Sequence, residues 1–367
     1  MKKFIKNADW IVLIVSLALF IIGCFALYSA TQTTELQEFK KQLMWFLISI
    51  PFLILVIIVD YNLIIKFAPL LYLVGIVLLI GVLFTDPISG ASSWIKIGDS
   101  FSFQPSEFAK VFTILFLAFT LNKLQIKGRS EINKPWKLLI YFIVLVIPVL
   151  LIIKEPDYGT AMAYITAMLF MLFAAGIDKK YIIVSILLVV IVAVPVYNRL
   201  PEHAKARVES FIHPENDLRG SGYNAYQSKL AIGAGEFIGM GWLQGNQTQL
   251  GYLHPKSTDF IFSVIGEEFG FVMTTSIVIL YIVLITRSLY IAKTAKDNVG
   301  AYIATGIAGM FAFYMIENIG MTIGIMPITG VPLPFVSYGG TSLITNFICI
   351  GLLINISSKR QKAIFME

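Results

Sequence analysis

Three carboxylates stand in the stretch "STDFIFSVIGEEFG", residues 257–270: Asp259, Glu267 and Glu268. The run is otherwise apolar enough to enter a membrane, where ionisable side chains are costly and mark function. Helical spacing places Asp259, Ser263, Gly266, Glu267 and Gly270 along one face, and Phe260, Ile261, Val264, Ile265 and Phe269 along the other. Such a polar stripe faces a cavity or a partner helix. Two plainer readings stand beside a functional one. Ser257, Thr258 and Asp259 are all good N-caps, and Gly266 and Gly270 form a small-xxx-small packing pattern.

Other constellations add to this one. In "FQPSEFAKVF", 103–112, Pro105 suits a first helical turn. Glu107 and Lys110 stand three apart there, either as an intrahelical ion pair or as a charge pair that orients a partner or substrate. In "KEPDYGTA", 154–161, Asp157 can cap the next helix, and Lys154 can meet an anion or snorkel. The stretch 199–258 holds Arg207, Arg219, Lys229 and Lys256 among glycines, glutamines and aromatics. Basic groups at a membrane surface attract phosphates, and Gln and Asn beside aromatics suit carbohydrate hydroxyls. Its part "AYQSKLAIGAGEFIGMG" is amphipathic and is expected to lie on or dip into the outer leaflet. In "PITGVPLPFVSYGGTS", 327–342, Pro327, Pro332 and Pro334 before Gly339–Gly340 predict a re-entrant or sharply turned segment carrying Ser337. Asn318 precedes it inside a helix, where an interhelical hydrogen bond is the plain reading.

The elements that must position these residues follow from composition. The chain has 367 residues, 57% hydrophobic and 14% charged, against about a quarter charged in a soluble domain. Mean hydropathy is +0.80. This predicts an all-α polytopic membrane protein, one domain over 1–367. Ten apolar segments reach the length of a span: 10–30, 43–60, 67–84, 106–122, 137–153, 159–177, 181–198, 259–286, 299–323 and 337–357. The first is read as a retained helix and not a cleaved signal. Lys and Arg cluster in alternate short loops, which predicts both termini in the cytoplasm. The long segments 85–106, 199–258 and 324–340, with 154–161, then share the outer face. The net charge of +6 reflects this topology and not a nucleic-acid partner. Cys24 and Cys349 lie in apolar runs and imply no disulfide. His203, His213 and His254 lack ligand spacing, no Walker or HExxH motif occurs, and no metal ligands are assigned.

Taken together, "FQPSEFAK", "PDYGTA", "GYNAYQSKLAIGAGEFIGMGW", "STDFIFSVIGEEFG", "NIGMTIGIMPITG" and "VPLPFVSYGGTS" resemble the SEDS family (shape, elongation, division and sporulation). The resemblance covers nearly the whole chain. "GWLQGNQTQLGYL" is similar to the cell-elongation members. The resemblance implies a peptidoglycan glycosyltransferase of the bacterial cytoplasmic membrane that polymerises lipid II, an undecaprenyl-pyrophosphate-linked disaccharide-peptide. It implies no cofactor, leaving a divalent cation open. It also implies a class B penicillin-binding protein as partner, within an elongation complex. The family's essential Asp falls on Asp259 and its functional Trp on Trp94. Glu107, Lys110 and Asp157 fall on its other motif positions. One departure stands out: family members often read Leu-Pro-Glu-x-His-Thr-Asp, whereas here the order is Leu253-His254-Pro255-Lys256-Ser257-Thr258-Asp259. The usual Glu and His are missing: either they are dispensable, or His254 and Lys256 substitute from shifted positions.

On that reading Asp259 is expected to be the general base, with Lys110, Arg207, Arg219, Lys229 and Lys256 as candidates to hold the pyrophosphate. Trp94, Glu107, Asp157, Glu267, Asn318 and Ser337 are expected to line the substrate groove or hold its walls. A lipid II flippase, a non-catalytic scaffold, and a division or sporulation paralogue are the alternatives.

Overall fold

The computed structural model describes residues 7–85, 93–97, 101–199, 205, 209, 211–212 and 221–360. Arg207 and Arg219 lie outside the described residues. The described residues are mostly helical: α1 Ile11–Ala30, α2 Gln37–Ile58, the short α3 Tyr61–Lys66, α4 Ala68–Val82, α5 Pro105–Leu124, α6 Pro135–Lys154, α7 Tyr158–Ala175, α8 Lys179–Arg199, α9 Ser221–Ala234, the single turn α10 Asn246–Gln249, α11 Ile261–Thr294, α12 Asn298–Ile323 and α13 Gly340–Ser358. Among the described residues, seven helices are long and apolar enough to cross a membrane: α1, α2, α6, α7, α11, α12 and α13. The other three expected segments are helical too. However, α4 has only 15 residues, and α5 carries Glu107, Lys110 and Lys123.

Local chemistry sets the helix boundaries. Pro105 and Pro135 open α5 and α6, where a missing N–H costs nothing. Asp157 and Asp297 cap α7 and α12, accepting from Thr160 N at 3.0 Å and Gly300 N at 2.8 Å. α12 and α13 form the centre, and most of their residues are buried. α2 and α4 present apolar side chains such as Leu47, Ile58, Leu70 and Val77 outward, as a lipid-facing surface requires.

Two features depart from the sequence reading. The 85–106 loop contains a small antiparallel hairpin, β1 Ile95–Ile97 and β2 Phe101–Phe103. And the expected continuous helix from 259 is broken. Gly270 adopts φ 68° and ψ −164° inside α11, a conformation open to glycine and strained for other residues. The backbone groups freed by the break are met by the segment after α9. Met240 and Gly241 N–H donate to the carbonyls of Glu267 and Glu268 at 2.9 and 3.1 Å. Phe271 and Val272 N–H donate to Glu236 and Phe237 at 3.0 and 3.2 Å. Irregular backbone at such depth is tolerated only when satisfied by protein in this way. Glycines allow the approach: a Cβ on Gly235 would strike the backbone of Gly266. The helix α9 ends at Ala234, so the amphipathic stretch 225–241 continues as the strap across this break.

Candidate functional site

Asp259 is half-buried just before the start of α11, against the segment 324–339. It is not the cap of α11. Phe260 holds the N-cap position, with no side-chain cap bond. Instead the chain up to Asp259 is held through three successive main-chain carbonyls. Ser257 O accepts from Tyr338 N at 2.9 Å. Thr258 O accepts from Ser337 Oγ at 2.6 Å. Asp259 O accepts from Asn318 Nδ2 at 3.0 Å. The Asp259 carboxylate lies over Gly330, whose φ is +76° and where a Cβ would stand 3.4 Å from Oδ2.

The segment opposite Asp259 is sharply turned, as its prolines predict. Val331, Leu333, Phe335 and Val336 are buried. Gln42 on α2 donates to Ser337 O at 3.1 Å and accepts from Gly339 N at 3.2 Å. Tyr281 donates to Pro334 O. Gly23 on α1 leaves room for the Val336 backbone, since a Cβ there would stand 2.5 Å from its carbonyl oxygen. From α12, Glu317 accepts from Thr329 at 2.8 Å and Asn318 donates to Val331 O at 2.8 Å.

Gly159, at the start of α7, packs against Thr329 and Val331. This brings Asp157 to the far side of the same segment. Gln104 Nε2 donates to Asp157 Oδ2 at 3.2 Å. Burial, with Glu107 nearby, raises the Asp157 carboxyl. Trp94 is half-buried: its carbonyl accepts from Thr85 at 3.3 Å, and the neighbouring Ser93 donates to the Glu155 carbonyl at 3.2 Å.

Glu155 went unremarked in the sequence analysis. Its side chain is fully buried, and neither carboxylate oxygen has a hydrogen-bond partner among the described residues. Burial, reinforced by Asp157, pushes it up to about 8 from the usual 4.5. The folded state therefore keeps a proton that the unfolded chain loses between those values, and stability falls as pH rises through that window. Glu155→Gln removes the effect. The variant should gain on wild type by about 1.4 kcal/mol per pH unit across the window. Melting curves in detergent between pH 5 and 8.5 test it, and a constant offset would refute it.

The remaining candidates have defined places. Glu107 and Lys110 form a buried pair at 2.9 Å, each about 1% exposed. Lys110 Nζ also donates to Tyr314 OH at 2.7 Å, and Thr345 donates to Glu107 at 3.0 Å. Glu267 is fully buried and accepts from Gln247 N at 2.6 Å, Thr248 N at 3.0 Å and Thr248 Oγ1 at 2.6 Å. It thereby anchors α10, where a carboxylate meets exposed amides. Glu268 accepts from Ser29 on α1 and from Gln249 at 3.2 Å. Ser263 meets Ser228 on α9 at 2.6 Å, so at this point the polar stripe faces a partner helix, one of its two expected neighbours. Lys256 Nζ donates to Thr248 O at 2.8 Å, and partial burial lowers its pKa. Lys229 is exposed beside Gly324, the left-handed residue that ends α12. Among the described residues, no group of three His, Cys, Asp or Glu side chains could hold a metal ion.

Comparison with known proteins decides the family. The family model described as cell cycle protein, FtsW/RodA/SpoVE, matches residues 9–362. The chain belongs to this family. Its SEDS relatives carry several names. It is 36% identical to a probable peptidoglycan glycosyltransferase FtsW of Trichlorobacter lovleyi, over 95% of this chain and 93% of that one. It is 39% identical to the peptidoglycan glycosyltransferase MrdB of Escherichia coli, over 80% and 78%. It is 31% identical to the peptidoglycan glycosyltransferase RodA of Treponema pallidum, over 97% and 99%. Among solved structures, a chain of a peptidoglycan synthase complex that coordinates polymerization and crosslinking superposes with a TM-score of 0.82. The two share 26% identity, over 95% of this chain and 97% of that one. The rod shape determining protein RodA of Thermus thermophilus shares the fold, with a TM-score of 0.71 at 24% identity over 97% and 98%.

Proposed function

We propose that this SEDS protein is a peptidoglycan glycosyltransferase that polymerises lipid II at the outer face of the bacterial cytoplasmic membrane. Asp259 takes the proton from the 4-hydroxyl of the acceptor GlcNAc as that oxygen attacks the anomeric carbon of the donor MurNAc. The donor linkage is α to pyrophosphate and the product is β-1,4, so one inverting displacement suffices. The observation that carries the reading is the placement of Asp259: a half-exposed carboxylate just before α11, over an open glycine, on a backbone held at three successive carbonyls. The pyrophosphate leaving group is a weak base and needs charge stabilisation more than a proton. Lys229 and Lys256 supply it, with Arg207 and Arg219 outside the described residues. Lys110 is engaged by Glu107 and Tyr314, which favours a structural part for that pair. Glu267 braces the α10 turn beneath the loop.

Purified protein, with its partner, should convert lipid II to a polymer that a muramidase cutting β-1,4 links digests completely. A polymer resistant to that enzyme would refute the inverting step. Glu267→Gln should lower stability by about 1–3 kcal/mol through weakened bonds to a charge, and leave the pH–rate profile of polymerisation in place. A shifted profile would return Glu267 to the chemistry.

The reading extends to ten spans with both termini in the cytoplasm, and to a class B penicillin-binding protein as partner. A similar chain works within a peptidoglycan synthase complex, which supports that partnership. The relatives include both FtsW and RodA names, so the elongation role, that of a RodA, rests on the "GWLQGNQTQLGYL" pattern. A lipid II flippase draws support from the break at Gly270, since broken helices mark transporters. Here the strap 236–241 fills the break, and this favours a fixed scaffold.

A further inference from the structure

We propose that Asn318 and Ser337 are positioning residues for Asp259: they set its carboxylate through the backbone and never touch substrate. The inference rests on the reading of Asp259 as the general base. Asn318 is fully buried, and its Nδ2 is shared between Asp259 O at 3.0 Å and Val331 O at 2.8 Å. One amide group thus ties the reacting residue to the segment across from it. Ser337, also buried, donates to Thr258 O at 2.6 Å and accepts from Leu333 N at 2.8 Å, closing the turn it sits on. Tyr338 N–H takes the third carbonyl, that of Ser257.

The opposing segment is itself held from below. Glu317 and Asn318 are consecutive on α12, and they hold Thr329 and Val331 on either side of Gly330. Gly330 is the residue that faces the Asp259 carboxylate. The distance between base and floor is therefore set by α12 and by the 333–337 turn together. A general base works only within a narrow range of distance and angle to its proton, and misplacement by about 1 Å can cost about a hundredfold. A loop that carries a base gains this precision only from fixed neighbours. Three consecutive carbonyls, each with its own donor, supply it here.

The test is steady-state polymerisation of lipid II by the purified protein with its partner, comparing Asn318→Leu, Ser337→Ala and Ser337→Thr with wild type and Asp259→Asn. Asn318→Leu keeps the volume and removes the donor. It should lower kcat roughly ten- to a hundredfold with KM unchanged within about twofold. Ser337→Ala should do the same to a smaller degree, and Ser337→Thr, which keeps the hydroxyl, should restore most of the rate. A raised KM with kcat kept would make the two residues substrate contacts and overturn the assignment. Recovery of both Asn318→Leu and Ser337→Ala only as unfolded protein would make them structural and overturn it as well. Wild-type kcat in both, with Asp259→Asn inactive, would overturn this inference alone. Full activity of Asp259→Asn would instead remove the base reading on which it stands.

Discussion

Replacing Asp259 by asparagine should slow glycan polymerisation by roughly 10²–10⁴-fold, the usual contribution of a positioned general base. The melting temperature should stay near that of wild type. Both halves of this expectation follow from the geometry. The backbone around the residue is held by groups that a side-chain amide does not disturb: Asn318, Ser337 and Tyr338 bond to main-chain carbonyls of 257–259. Phe260, and not Asp259, holds the N-cap position of α11. The loss should appear in kcat and not in KM if Asp259 is the proposed base, since a base would act on the acceptor hydroxyl as the new bond forms. A variant that melts early and loses activity in proportion would place Asp259 among the structural residues.

The second large effect concerns Glu107 and Lys110. Both lie inside the bundle, and their partners come from three helices: Tyr314 on α12 meets Lys110, and Thr345 on α13 meets Glu107 on α5. Lys110→Met leaves the Glu107 carboxylate buried without its ammonium. Breaking a buried pair from one side costs about 3–5 kcal/mol, whereas replacing both partners can be close to neutral. Lys110→Met should therefore be poorly folded, and Glu107→Gln/Lys110→Met together should recover most of the stability. A double-mutant cycle on detergent melting reads this coupling directly. Activity should follow stability through the cycle. A double variant that is stable and inactive would show that Lys110 meets the substrate, as the sequence alone allowed.

Much of this was legible in the residues, and the failures have physical causes. Several helices read from apolar run length reappear within a few residues, such as 137–153 as Pro135–Lys154 and 299–323 as Asn298–Ile323, whereas 43–60 begins earlier, at Gln37, and 259–286 runs on to Thr294. Such segments have little choice of structure in a bilayer. The Pro-rich segment before Gly339 was legible as a sharp turn because proline removes backbone donors. The caps at Asp157 and Asp297 follow from residue type, though the same rule would have made Asp259 a cap, which it is not. The break at Gly270 was hidden because Gly266 and Gly270 read equally well as packing glycines. Only the distant segment 236–241, which supplies the missing hydrogen bonds, separates the two readings. The parts of Asn318 and Ser337 were illegible for a similar reason: each bonds to backbone, and backbone partners leave no mark on residue type. Glu155 was passed over because a carboxylate beside a loop looks solvated until the fold covers it.

If this chain joins sugars with Asp259 at the reacting hydroxyl, polymerisation must be lost with that carboxylate. The most direct test gives lipid II to the purified protein with the class B penicillin-binding protein proposed as its partner, wild type beside Asp259→Ala, and reads product as a ladder on a gel. Wild type should give long polymer and the folded variant none. Equal polymer from both would contradict the role of Asp259. No polymer from wild type, with lipid II crossing the bilayer of liposomes that contain it, would contradict the enzyme itself.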